Sequence, residues 1–395
     1  MKIQLDMYQT IAVAVVVLML GKFLKERVSL LERFCIPAPV IGGVIFAIFT
    51  CLCYVTGIAE FSFDDILKEV CMVFFFTSVG FQANLKVLKS GGKSLIVFLG
   101  LVIALILCQN FIAIGLAKLL HISPLVGLCT GSIPMIGGHG TAGAFGPVLE
   151  EAGVAGANAV AIASATFGLV AGCVIGGPLA YRRIHSLNLK STETATGSDE
   201  ITVDKNEVTG AIDSRRFLDS ALYLAIAIGA GTIVSLFLNK LMTFPSYIGA
   251  MVVAAIIRNV VDATHKDMPM EEISTIGSFS LSLFLGLAMM GLKLWQLAEL
   301  ALPMIVMLAA QTVLMAFFAY FVVFNLLGKN YDAAVMTSGF CGFGMGATPN
   351  AMANMQAITA KYGPAPTAYF VVPLVGSLFI DFFNALIITT FMNFL

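Results

Sequence analysis

Asp381 is the one carboxylate deep inside an apolar run, ninth in PLVGSLFIDFFNALIITTFMNFL counted from Pro373. A charge at the centre of a bilayer costs at least ~2.5–3.5 kcal/mol on insertion scales, so an acid there needs compensation. Hard cations take oxygen ligands, and Asp381, Asn384 and nearby backbone carbonyls form a candidate sodium set. A substrate ammonium would serve equally well, and a packing hydrogen bond to a neighbouring helix is the purely structural alternative. The other polar residues at depth lie in two glycine-rich stretches, IGGHGTAGAFG at 136–146 and GFCGFGMGATPNAMAN at 339–354. Gly137, Gly138 and Gly140 let backbone approach a ligand closely. Thr141 is placed to cap a returning helix over 142–151, whose unpaired N–H groups suit a carboxylate. In the second stretch Thr348 reads as an N-cap and Pro349 as the first helical residue. Asn350, Asn354 and Gln356 follow as neutral polar groups. A glycine seam for helix packing, and simple capping, remain the bland alternatives for both stretches. His139 has three open roles: proton carrier, neutral hydrogen-bonding group, or structural residue.

Other chemistry is absent or weak. Gln109 and Gln311 stand at matching places in two apolar runs, where a single amide either lines a cavity or joins helices. Glu150, Glu151 and Asp332 read as solvated groups at the feet of the glycine-rich segments. No Ser-His-Asp or Cys-His spacing and no phosphate-cradling lysine loop occurs, so an enzyme is not expected. The four histidines are scattered, which argues against zinc. The eight cysteines lie in or beside apolar segments and read as small buried hydrophobes. No cofactor is expected beyond a coupling ion.

The elements that hold these residues are membrane helices. The chain of 395 residues is 59% hydrophobic and 11% charged, with a mean hydropathy of +0.95. A soluble domain carries roughly 25% charged residues. The net charge of −1 gives nucleic acid nothing to bind. Ten apolar runs are expected spans: 8–24, 38–57, 66–83, 94–119, 157–181, 217–239, 245–261, 273–290, 298–327 and 366–394. The first of these reads as a retained helix rather than a signal peptide. Two shorter runs, 124–136 and 333–347, are too short to cross and suit half-spanning segments. Each runs into a glycine-rich break and a second helix-prone stretch, giving expected re-entrant hairpins at about 124–151 and 333–361.

The halves repeat. Gly131, Gly138 and Gly168 find Gly339, Gly346 and Gly376 at a constant offset of 208, and Gly42 finds Gly249 at 207. The expected architecture is all-α: two repeats of five spans, each with a hairpin between its fourth and fifth. An odd number of spans inverts the second repeat relative to the first. The repeats occupy 1–185 and 214–395, joined by a polar cytoplasmic linker at 186–213. With both termini outside, 17 of the 22 Lys and Arg residues fall on the cytoplasmic side, a clear positive-inside bias. Inverted repeats with broken helices at matching positions point to a secondary transporter whose site lies where the breaks meet.

At these motifs the chain resembles a known family. GGHGTAGAFGP at 137–147, CGFGMGATPNAMANMQAIT at 341–359 and FIDFFNAL at 379–386 resemble the bacterial sodium/glutamate symporters. So do MGLKLWQLAELALPM at 290–304 and GKNYDAAV at 328–335. The resemblance runs nearly the whole length and is weakest over 186–213. It implies sodium-coupled import of L-glutamate across the bacterial inner membrane. It also implies a homodimer embedded in lipid, with a transport domain that moves against a scaffold. Substrate contacts are expected from Gly137, Gly138, His139, Gly140, Thr141, Thr348, Pro349, Asn350 and Asn354, and sodium at Asp381 and Asn384. Competing expectations are a sodium- or proton-coupled carrier of another dicarboxylate and, from a different class, an ion channel.

Overall fold

The structure is a computed structural model that describes residues 2–28, 37–84, 92–191, 214–240, 246–264, 267–297 and 300–395. Its helices are α1 (Met7–Arg27), α2 (Ala38–Val55), α3 (Ile66–Gln82), α4 (Gly92–Leu119), α5 (Pro124–Leu128), α6 (Ser132–Met135), α7 (Gly138–Glu151) and α8 (Ala157–Ser186). There follow α9 (Ser214–Leu238), α10 (Ser246–Ala263), α11 (Met270–Met290), α12 (Ala301–Leu326), α13 (Tyr331–Gly344), α14 (Thr348–Tyr362), α15 (Pro366–Leu378) and α16 (Ile380–Phe394). Helices dominate because apolar runs in lipid must satisfy their own backbone groups.

Seven of these helices, α1, α2, α4, α8, α9, α11 and α12, are each long and apolar enough to cross a membrane. The run expected as one span at 366–394 is instead α15 and α16, bent by 45° at their junction, and as a pair it makes an eighth. The expected spans 66–83 and 245–261 are helices of 17 and 18 residues that fall outside that measure. The chain is therefore a multi-pass membrane protein. Most of the expected linker, 192–213, lies outside the described residues.

One element departs from the all-α expectation. β1 (Lys2–Gln4) and β2 (Glu60–Ser62) pair in parallel, Ile3 opposite Phe61. Three-residue strands of mixed polarity leave no periodic signal, and only the return of α2 alongside α1 brings them together. Asp6 closes the end of β1 by capping α1, accepting from Gln9 N while the Gln9 side chain accepts from Asp6 N.

The helices sort into two packed groups. In one, α1 and α2 pack together and on α11, α9 packs on α10, and α3 lies against α10 and α11. Glycine makes the closest crossings. A Cβ on Gly42 would strike the Val17 carbonyl and one on Gly21 the Ala38 carbonyl, where α1 crosses α2. The same device recurs where α9 crosses α10, with Gly231 against Ala250 and Gly249 against the Gly231 carbonyl. The second group holds α4, α5–α8 and α12–α16, with α8 packed on α7, α13 and α14. Arg183, near the end of α8, donates to Tyr320 O at 2.6 Å from within the π-helical stretch Phe318–Val323 of α12. The groups meet where α7 lies on α11 and in a shared buried cluster in which Phe145 of α7 packs edge-on against Tyr247 of α10.

Overpacking a tight crossing costs roughly 1–3 kcal/mol, more where backbone is struck. Gly42→Leu and Gly231→Leu are each expected to lower the melting temperature of the purified protein. Gly100→Leu, where a Cβ meets nothing within 4 Å, should leave it unchanged.

Candidate functional site

The segment 124–151 is broken twice, at Cys129–Gly131 between α5 and α6 and, at the start of the first glycine-rich stretch, at Ile136–Gly137 between α6 and α7. α7 starts earlier than its sequence implies. Gly137 is its N-cap, without a side-chain cap bond, and Thr141 lies in the first turn rather than capping it. Thr141 N bonds Gly137 O at 3.2 Å, which leaves the N–H groups of Gly138, His139 and Gly140 ahead of that bond in the first turn. Gly138 has φ +57, a conformation that L side chains rarely adopt, and a Cβ there would lie 3.1 Å from the Gly346 carbonyl oxygen. The two breaks, 208 residues apart in sequence, are in contact.

The second break follows the same logic. α13 ends at Gly344, Ala347 is the N-cap of α14, and Thr348 is its first residue with Pro349 next. The expected Thr348 cap is displaced by one position because the extended residue before the helix is Ala347. Asn350 N and Ala351 N both bond Ala347 O, which leaves the Thr348 N–H ahead of the first bonded turn. The Thr348 hydroxyl lies against Gly376 of α15, where a Cβ would come within 2.6 Å of it. Pro349 is exposed, so it starts the helix without being enclosed.

The long helix α8 holds both stretches. Thr166 has a single hydroxyl proton and donates it to Ile162 O at 3.1 Å. In the 2.9 Å contact between His139 Nε2 and Thr166 Oγ1 the histidine is therefore the donor. One turn further along, Asn350 Nδ2 donates to Leu169 O at 2.9 Å and Asn354 Nδ2 to Gly172 O at 3.0 Å. Asn354 also closes α13 on α14 by donating to Ser338 O at 3.1 Å. Two of the expected substrate contacts thus spend their N–H groups on α8. Asn350 Oδ1, buried, keeps no partner among the described residues.

The expected sodium residues lie one turn apart on α16. Asn384 is fully buried; its Nδ2 donates to Ser132 O at 3.1 Å, which leaves Oδ1 buried without a partner. Asp381 is partly buried and makes no hydrogen bond or ion pair among the described residues. No cluster of three acidic, histidine or cysteine side chains fit for a transition metal occurs there, so any cation depends on neutral oxygens and one acid.

Gln109 and Gln311 are helix-joining residues: Gln109 Nε2 donates to Gly344 O at 2.8 Å and Gln311 Nε2 to Gln109 O at 2.9 Å. Asn110, beside Gln109, accepts from Ser132 N at 2.9 Å. Sequence reasoning did not single out Asn110, Ser132, Thr166 or Ser338. For Asn110 a signal existed, two adjacent amides in the middle of an apolar helix. A lone hydroxyl in such a helix carries none.

A cavity of about 1240 Å³ opens beside α7, walled by Lys68, Glu150, Glu151, Lys293 and the stacked rings of Tyr54 and Trp295. It reaches in to Gly143 and Ala144 and stops short of the breaks.

Comparison with known proteins gives this geometry a family. Residues 3–364 match the family model for the sodium/glutamate symporter. The sodium/glutamate symporter of Escherichia coli (strain K12) is 42% identical over 395 residues, covering 98% of each chain. That of Haemophilus influenzae (strain ATCC 51907 / DSM 11121 / KW20 / Rd) is 38% identical over 386 residues, covering 96% of this chain and 95% of the relative. The chain belongs to the sodium/glutamate symporter family. Membership in this symporter family also settles the class: the chain is a transporter and not an enzyme.

Losing one partner of a buried hydrogen bond costs about 1–3 kcal/mol. Asn350→Ala and Asn354→Ala each strand an α8 contact and are expected to lower the melting temperature. Thr141→Ala removes no side-chain bond described here and should leave it unchanged. Gly138→Ala forces φ +57 on a side chain and crowds Gly346 O, so it should impair function more than its one carbon implies; initial uptake rates at matched protein levels test this.

Proposed function

We propose that this chain imports L-glutamate coupled to sodium, by alternating access across the bacterial inner membrane. The observation that carries the site is the contact of Gly138 with Gly346. Positions at one repeat offset that touch each other lie on the axis relating the repeats. The paired crossings Gly21–Gly42 and Gly231–Gly249 support the same two-fold relation. On this reading the repeats are 1–185 and 214–395, joined by the linker 186–213. Each threads five spans in opposite sense, and the segments α5–α7 and α13–α14 are the re-entrant hairpins. Both termini then face outward, as the lysine and arginine distribution favours.

Glutamate brings two carboxylates and one ammonium. The first-turn N–H groups of Gly138, His139, Gly140 and Thr348 are donors suited to a carboxylate at a helix start. Thr141, Pro349, Asn350 and Asn354 complete the proposed pocket wall. No arginine stands among these residues, so the anion leans on helix starts and on co-bound sodium. Sodium is assigned to Asp381 and Asn384, where a carboxylate and the unpartnered Asn384 Oδ1 supply hard oxygen ligands. His139, a donor to Thr166 from a buried position, is a wall residue in this reading rather than a proton carrier. The carrier works in lipid as a homodimer: α1–α3 and α9–α11 serve as scaffold, and the group holding both breaks moves.

The test is uptake of labelled glutamate into proteoliposomes under imposed gradients. Accumulation should follow sodium. Accumulation that follows a proton gradient instead would overturn the coupling, and flux without accumulation would indicate a channel. Asp381→Asn should raise the sodium concentration for half-maximal uptake at least tenfold, or abolish uptake, with the protein still inserted. An unchanged sodium dependence removes Asp381 from the site.

A further inference from the structure

Two adjacent amides in the middle of α4 touch both breaks. Gln109 Nε2 holds the carbonyl of Gly344, the last residue of α13, and Asn110 Oδ1 holds the N–H of Ser132, the first residue of α6. Successive side chains on an α-helix point about 100° apart, so one turn of one rigid helix fixes a peptide group in each half. The fit is close. A Cβ on Gly131 would come within 2.6 Å of Asn110 Oδ1, and one on Gly344 would meet Leu105 and Met315. Gln109 and Asn110 are both fully buried.

The chain of contacts continues at each end. Gln311 of α12 donates to the Gln109 carbonyl, and Asn384 of α16 donates to the Ser132 carbonyl. Ser132 is thereby held at its N–H by α4 and at its C=O by α16. An unbroken series of buried hydrogen-bonded residues runs from Gly344 through Gln109, Asn110 and Ser132 to Asn384.

This series is only half saturated. Gln109 Oε1, Gln311 Oε1, Asn384 Oδ1, Ser132 Oγ and Asn110 Nδ2 are all buried without a partner among the described residues. The orientations are fixed, because each carbonyl can only accept and each N–H can only donate. Buried groups left unpaired cost free energy, and a network that merely glued helices would have little reason to keep five. Atoms in this condition respond to whatever polar species arrives beside them.

We infer that Gln109 and Asn110 are positioning residues that couple the sodium region at Asn384 to the second break at Gly344. Occupation of the Asn384 oxygen reorients the Ser132 peptide, and α4 carries that change to the Gly344 carbonyl at the end of α13, where the second break begins. This rests on the sodium/glutamate reading above. Neither residue is assigned a contact with substrate.

The readout is the coupling factor, the ratio of glutamate KM at low sodium to KM at saturating sodium, measured with the full-length protein in proteoliposomes. Coupled sites commonly show factors of roughly 5–150. Asn110→Leu and Gln109→Leu keep side-chain volume and remove the contacts; each should reduce the factor at least threefold, with the melting temperature recorded alongside. Asn110→Asp keeps an acceptor for Ser132 N–H and should retain the wild-type factor. If a leucine variant does not insert, Gln109→Met, which has no donor for Gly344 O, reads the same quantity. An unchanged factor in these variants overturns the proposal, as does an equal loss in Asn110→Asp and Asn110→Leu. A wild-type protein that shows no sodium-dependent tightening refutes the symport reading instead, so the two failures are distinct.

Discussion

Lipid offers no hydrogen bonds, and every peptide group released by the two glycine-rich breaks has to find a partner inside the protein or in a wet cavity that it lines. That constraint explains why the breaks lie against each other at Gly138 and Gly346 and why amide side chains collect around them. Asn and Gln are neutral and present both a donor and an acceptor, so they satisfy stranded backbone without the cost of a buried charge. Gln109 at Gly344, and Asn110 and Asn384 at Ser132, are three instances of this solution, while Asn350 and Asn354 fasten the second broken stretch to α8.

The same constraint divides labour between helices. α8 offers its carbonyls along about one turn to the second broken stretch, and Thr166 to the first. Both stretches are therefore referred to a single rigid element. α4 reaches the residues beside the breaks rather than the returning arms. The remaining group of six helices shares a buried apolar cluster with this one, in which Gly143 of α7 faces Phe284 and Ala288 of α11 and the Phe145 ring meets Tyr247 of α10 edge-on.

Much of the site was legible in one dimension because its residues are rare in their surroundings. A carboxylate at Asp381, a GGHGT run and a TPN sequence stand out against apolar background, and the offset between breaks names them as partners. The caps were misplaced by one to four residues, since Thr141 and Thr348 carry good capping side chains but Gly137 and Ala347 hold the backbone conformations that precede the helices. The N–H groups of Asn350 and Asn354 also fasten α14 to α8, a task that their place in the sequence does not reveal.

Sequence by itself determined what the solvent dictates: a multi-pass helical membrane chain, the glycine breaks and the symporter family. These follow from hydropathy, from glycine and from residue identity, all local or periodic properties. Only the tertiary structure decided which amide serves which peptide, the parallel pairing of Lys2–Gln4 with Glu60–Ser62, and the adjacency that makes Gln109 and Asn110 a bridge. A hydrogen bond joining residue 109 to residue 344 depends on the packing of four helices at once, and no window along the chain contains that information.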